Sequence, residues 1–162
     1  MATWKIALLT LTIVMEARGQ PDLGKAMVAQ VVMNRGGQDN IEQNLFWPAQ
    51  FAVWGQDVYA PGISLRLAVL ECWSIGAFPD DPWCIERWAK MHYPDWWRQF
   101  RAGSPEYWHH VWQIAEDVYN GTYDLPPEIA HKTHFDNPRN WPDGLPPWLT
   151  NCAEIGDHVF CD

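Results

Sequence analysis

Among twenty acidic residues, Glu16 has the setting of a proton donor. Between Trp4 and Met15 the only ionisable residue is Lys5; Trp4, Leu8, Leu11 and Met15 recur at helical spacing, and Ile6, Leu9 and Ile13 fill a neighbouring row. That pattern predicts a helix buried on most sides. Gly19 is a natural residue to end it and Pro21 forbids its continuation, which leaves Glu16 in the last turn. The negative end of the helix dipole and the apolar surroundings both favour the protonated carboxyl. An acid kept protonated near neutral pH can give its proton to a leaving oxygen. The competing reading is a surface glutamate paired with Arg18 or Lys25, and helix position alone does not choose between the two.

Other candidate groups are scattered along the chain. Residues 38 to 62 read as loop, with Phe46, Trp47, Phe51, Trp54 and Tyr59 crowded among Pro48, Gly55 and Pro61. This stretch is the best candidate for a cleft wall. Within it, Gln50-Phe51-Ala52-Val53-Trp54 reads as a short extended piece. The Gln50 amide both donates and accepts, as recognition of a sugar hydroxyl or N-acetyl group requires, although an exposed glutamine of no special role has the same appearance. Twelve tryptophans are several times the average usage. Most belong in a core; a few on loops can offer flat apolar floors to sugar rings.

The segments around Glu16 resemble a known family. Glu16-Ala17-Arg18-Gly19, the stretch Gly24 to Arg35, and Gln50 to Trp54 are similar to the core of the SleB-type cell-wall hydrolases. The likeness returns in Thr133-His134-Phe135-Asp136-Asn137-Pro138, in Pro147-Trp148 and in Ile155-Gly156-Asp157-His158-Val159-Phe160. Residues from about 57 to 104 match poorly and read as an insertion. The resemblance implies a lysozyme-like fold, cleavage of peptidoglycan glycan strands between N-acetylmuramic acid and N-acetylglucosamine, and Glu16 as the catalytic acid. It also implies that the two C-terminal blocks face the catalytic helix, so that His134, Asn137 and His158 join Gln50, Phe51 and Trp54 as substrate-binding residues. A hydrolase wants a second carboxylate, for which Asp136 and Asp57 are candidates. A lytic transglycosylase, to which the family leans, uses the muramic acid C6 hydroxyl and needs none. Neither chemistry calls for a metal or cofactor.

Two rival functions remain at this point. A zinc amidase or peptidase would draw on His131, His134 and His158 or a cysteine, but the proline-rich surroundings do not support the helix that a three-residue spacing suits. A binding module would hold glycans on tryptophans without cutting them.

The elements that must position these groups follow from caps and breakers. Residues 22 to 35 predict a second helix, closed at Gly36-Gly37, with Ala26 and Ala29 permitting close approach to the first. Ser64 reads as the N-cap of a helix to about Ala77, with Leu67, Leu70 and Trp73 on its apolar side, broken by Pro79 and Pro82. One or two short helices around Pro94 occupy residues 83 to 101. Ser104-Pro105-Glu106 opens a longer helix to about Asn120, closed by Gly121; His109 and His110 on it point about 100° apart and make no joint site. Beyond Tyr123 the prolines preclude long helices, Thr133-His134-Phe135 reads as a short strand, and Asp136-Asn137-Pro138 as a turn. The expected fold is α+β and predominantly α, one lysozyme-like domain over residues 1–162 with a small β-hairpin region.

Length and charge bound the function. At 162 residues and 48% apolar content the chain suits one domain with a real core. The formal net charge of −9, with only eleven scattered Lys and Arg, argues against nucleic acid and against an anionic membrane surface. The N-terminal apolar stretch is too short to span a bilayer and lacks a signal peptide's cleavage site, so it reads as part of the mature fold. A wall-degrading enzyme with no visible export signal fits a monomeric phage endolysin that waits in the host cytoplasm before release to the wall. Cys72, Cys84, Cys152 and Cys161 lack paired zinc-site spacing. In a cytoplasmic pool they are expected as free thiols, with Cys152–Cys161 and Cys72–Cys84 as bridges that an oxidising envelope would permit.

Overall fold

The computed structural model describes residues 2–46, 61–92 and 101–162. Its helices are α1 (Ala2–Ala17), α2 (Asp22–Gly36), α3 (Ile41–Phe46), α4 (Pro61–Ser74), α5 (Trp83–His92) and α6 (Pro105–Asn120). The strands are β1 (His134–Asp136), β2 (Ala153–Ile155) and β3 (His158–Cys161). The architecture is α+β and predominantly α.

Helix α1 is the central element because its sequence has almost no polar side. Ile6, Ala7, Leu8, Leu9, Leu11, Ile13, Val14 and Ala17 are all buried. Thr10 and Thr12 are buried too, and their hydroxyls donate to the carbonyls of Ile6 and Leu8, each at 2.8 Å, so neither leaves a polar group unsatisfied. The helix packs against α2 and α6 and touches α3 and α4. Lys5 escapes at its polar end, donating to the Gln38 carbonyl at 2.7 Å. Trp4 meets Trp73 of α4 with ring centroids 5.7 Å apart.

The expected boundaries of α2 and α6 are found. Ser104 caps α6 by accepting from the Tyr107 amide at 3.2 Å, Pro105 stands in its first turn, and Gly121 ends it at φ 71° in the left-handed region. Trp108 of α6 is fully buried and donates its indole N–H to the Ala102 carbonyl at 2.6 Å. Phe78 meets it edge-on at 5.2 Å.

Four expectations are corrected. Residues 41–46, read as loop, form α3, because Ile41 and Leu45 lie one turn apart and are both fully buried. Ser64 is not a cap: α4 begins at Pro61, where a missing N–H costs nothing, and stops at Ser74 rather than Ala77. Leu67 and Leu70, expected on its apolar side, are 52% and 46% exposed, while Ala68, Val69 and Cys72 are buried. The disulfide Cys72–Cys84 ties that inner face to α5. Cys152 and Cys161 are also bridged, so all four cysteines are paired, in the two bridges expected for an oxidising envelope and not as the free thiols expected for a cytoplasmic pool.

The sheet has strand order β1-β3-β2 and both pairings are antiparallel. His134 lies opposite Cys161, Phe135 opposite Phe160, and Asp136 opposite Val159. Since opposed residues share a face and adjacent residues along a strand do not, Phe135, Phe160 and His158 face one side while His134, Asp136, Val159 and Cys161 face the other. Phe160 joins the main helical core; Val159 and Cys161 form a smaller cluster with Leu149.

Candidate functional site

Glu16 sits in the last turn of α1, partly buried, one residue before the helix ends. The chain then turns at Gly19, whose φ of 120° suits glycine. Its motif neighbour Arg18 donates to the carbonyls of Arg101 and Ala102, the second at 2.8 Å, and lies 5.8 Å from the Tyr107 ring centroid. The α1 terminus is thereby fastened to the loop that enters α6. Lys25, buried to 8% exposure, pairs with Asp22 at 3.1 Å, and Asp22 also contacts His110 at 2.9 Å. The hydrogen bond from His110 holds the Asp22 carboxyl below its ordinary range. His109 turns instead to Asp80 at 2.7 Å, so the adjacent histidines diverge as their spacing requires.

The C-terminal hairpin is latched to the turn that follows Glu16. Gln20 donates from Nε2 to Asp157 Oδ2 at 3.1 Å and accepts from the Asp157 amide at 2.7 Å. Gly156, φ 60°, lies so close that a Cβ there would stand 2.2 Å from Gln20 Oε1 and 2.8 Å from Pro21 Cδ. On α2, Gly24 also lies beside Ile155, but a Cβ there would stand 3.5 Å from it, an ordinary contact.

Beside this latch is a pocket of about 200 Å³ lined by Asn137, Pro138, Arg139, Glu154, Gly156, Asp157 and His158. Two of the expected substrate-binding residues, Asn137 and His158, therefore meet in one site. Asn137 Oδ1 accepts from the Arg139 amide at 3.0 Å, which shapes the short turn at 138–140. His158 is 7% exposed, and its Nδ1 has no hydrogen-bond partner among the described residues. Burial pushes its pKa down, against the opposing pull of Asp157 and Asp136.

His134 is not part of this pocket. The register puts it on the opposite face from His158, where its Nδ1 lies 3.0 Å from Thr133 Oγ1 and its ring meets the exposed Trp148 edge-on at 5.8 Å. Burial lowers its pKa as well, with the Arg35 charge adding to the effect. The same register separates the histidines proposed as a zinc triad: His131 pairs with Asp162 at 3.1 Å, and His134 and His158 face apart. Among the described residues no cluster of three or more His, Cys, Asp or Glu is placed to hold a metal ion.

Asp136, a candidate second carboxylate, is occupied in closing a turn. Its Oδ1 accepts from the Asn137 amide at 2.7 Å and from Asn140 Nδ2 at 3.0 Å, and its Oδ2 accepts from the Trp141 indole at 2.7 Å. Gln50, Phe51, Trp54 and Asp57 lie outside the described residues, as does most of the expected 38 to 62 wall. Sequence reasoning missed Gln20, Arg139, Glu154 and Asp157. A Gly-Asp pair between two short apolar runs is a hairpin signal that would have placed Asp157 at the turn, but nothing local shows what a hairpin tip touches.

No protein-family model, no curated protein and no solved structure matches the chain. Among the described residues no helix is long and apolar enough to cross a membrane.

Proposed function

We propose that the protein is a peptidoglycan-cleaving glycosidase acting between N-acetylmuramic acid and N-acetylglucosamine, as a lytic transglycosylase with Glu16 as its acid and then its base. The observation that carries the reading is the setting of Glu16. A partly buried carboxyl ends the apolar central helix, and the next turn is latched through Gln20 to a pocket holding Asn137 and His158. The motif resemblance described above adds the substrate. The commitment of both Asp136 oxygens to its own turn supports the route that needs no second carboxylate. In this scheme Glu16 protonates the glycosidic oxygen, and the bond to the muramic acid C1 breaks. The carboxylate so formed takes the proton of the C6 hydroxyl as its oxygen closes on C1, giving a 1,6-anhydro ring and restoring the acid. The paired cysteines fit action in an oxidising envelope, as an endolysin meets after release.

The test joins a variant to product analysis. Glu16→Gln removes the transferable proton with little change of shape, and wall digestion should fall by roughly 10²-fold to 10⁴-fold. Mass spectrometry of fragments from the parent should show products lighter by one water than their hydrated counterparts. Reducing ends in their place would mean that water is the nucleophile. Undiminished digestion by Glu16→Gln would remove the proposal altogether.

A further inference from the structure

The pocket beside the latch has the wrong size and the wrong charges for a sugar. Its volume of about 200 Å³ lies below the roughly 300–1,000 Å³ of sites that enclose whole small ligands, so it suits one or two amino-acid residues rather than a disaccharide. Its walls carry both signs of charge, with Arg139 against Glu154 and Asp157. Arg139 is 81% exposed and its nearest carboxylate oxygen, on Asp157, is 3.8 Å away, a distance and exposure at which an ion pair is weak. The planar guanidinium is thus available to a carboxylate from a ligand. Asp157 is held in place by Gln20, and Glu154 is exposed on the edge strand β2. Two carboxylates repel a polyanion, and a neutral glycan would use none of the three charges. The lining adds two uncharged polar side chains, that of Asn137, whose oxygen already accepts from the Arg139 amide, and the ring of His158, whose unpartnered Nδ1 is itself closed to solvent.

From these features we infer that the pocket binds the stem peptide carried by peptidoglycan strands, Arg139 receiving a peptide carboxylate and Glu154 and Asp157 a peptide ammonium. The inference rests on the glycosidase reading for the identity of the polymer, and it adds the part of the polymer that is recognised. A stem peptide supplies a free ammonium on its diamino acid and a free carboxylate at its D-alanine end, a short amphoteric chain of the required kind. Because the pocket is latched to the turn after Glu16, an occupied pocket would hold the attached glycan against the same end of α1.

Binding and turnover test this separately. A synthetic stem tetrapeptide with a free C-terminal carboxylate is titrated against the full chain carrying Glu16→Gln, with the His158 ring resonances as readout. Saturable shifts are expected, and amidating the peptide's C-terminus should weaken binding by about two- to fivefold, the worth of one exposed ion pair. Arg139→Gln should abolish that discrimination. Unmoved His158 resonances, or equal affinity for the acid and the amide, would overturn the assignment. In the second arm the parent chain digests intact walls and strands stripped of peptide. KM should be several-fold lower for the peptide-bearing strands, and Arg139→Gln should erase the difference; equal KM values in the parent would likewise overturn it. If neither polymer is cut while the tetrapeptide binds as described, the glycosidase reading fails and the peptide site stands.

Discussion

Two residues in contact across the latch give a prediction whose size follows from the geometry. Gln20→Ala removes one hydrogen bond to a carboxylate and one from a backbone amide, at 3.1 and 2.7 Å. Such bonds contribute about 0.5–3 kcal/mol each, and solvent replaces part of both at this exposed position, so the substitution should cost about 1–2 kcal/mol. Gly156→Ala fails differently. It forces a Cβ into the left-handed region at φ 60°, a cost of about 1–2 kcal/mol, and drives that carbon onto Gln20 Oε1 and Pro21 Cδ. The clash breaks the same two bonds. When Gln20 is already alanine the oxygen is gone, and only Pro21 remains to be displaced. The double variant should therefore be less destabilised than the sum of the single variants by about 1 kcal/mol, within the range for residues in contact. Urea denaturation of the parent and the three variants measures this. A shortfall of 1 kcal/mol corresponds to about 2–4 °C in Tm for a chain of this size, so thermal unfolding gives an independent reading. Costs that add to within about 0.3–0.5 kcal/mol would show that the two residues do not share an interaction, and the latch as drawn would be wrong.

Asp136→Asn should leave wall digestion within a few-fold of the parent while lowering stability by about 1–2 kcal/mol, because its carboxylate closes the turn to Asn140 and Trp141; a loss comparable to that of Glu16→Gln would restore it as a catalytic group. Replacing either cysteine of the Cys152–Cys161 pair by serine should cost about 3 kcal/mol by loop-closure entropy at its separation of nine, read from equilibrium unfolding with and without reductant; insensitivity of the parent to reductant would deny the bridge. Acid should act in two stages. His158 and His134 are held below their ordinary 6.5 chiefly by burial, so their contribution is full above about pH 6.5 and is lost as pH falls through the depressed values. Asp22, held below its ordinary 3.8 by His110, contributes above that value and fails only at lower pH. Tm measured from pH 7.5 down to 3 should fall in both ranges, with the first fall reduced in His158→Gln; a flat profile between pH 7.5 and 5 would contradict the histidine assignment.

What the sequence disclosed was mostly what is local. The cap of α6 lies within a few residues of the chain, as Ser104, Pro105 and Gly121, and each is found in its expected role. The buried character of α1 was legible because every turn of the helix repeats it. Leu67 and Leu70 misled because α4 is apolar on more than one side, and which side turns inward was decided by Ala68, Val69 and the Cys72 bridge to α5. A six-residue helix such as α3 carries too few turns for periodicity to show. For the site, Asn137 and His158 were named together with His134, yet the pairing register that splits them depends on which residue of β3 faces Phe135. Register is a property of two strands, and one strand read alone does not contain it. The latch through Gln20 joins positions 137 apart and had no local signature.

The order of the sheet, with β3 between β1 and β2, also fixes a sequence of events. Helices α1, α2 and α6 are complete by residue 120, and a chain that folds from its N-terminal side as it is made can pack them against one another early. Strands β1 and β2 do not pair with each other; each waits for residues 158–161. Until those residues arrive there is no sheet, no hairpin tip for Gln20 to grip, and no wall for the pocket. The helical body that carries Glu16 can thus be assembled while the part proposed to hold the substrate's peptide is still missing, which makes the seating of β3 the step that turns a folded bundle into a competent site.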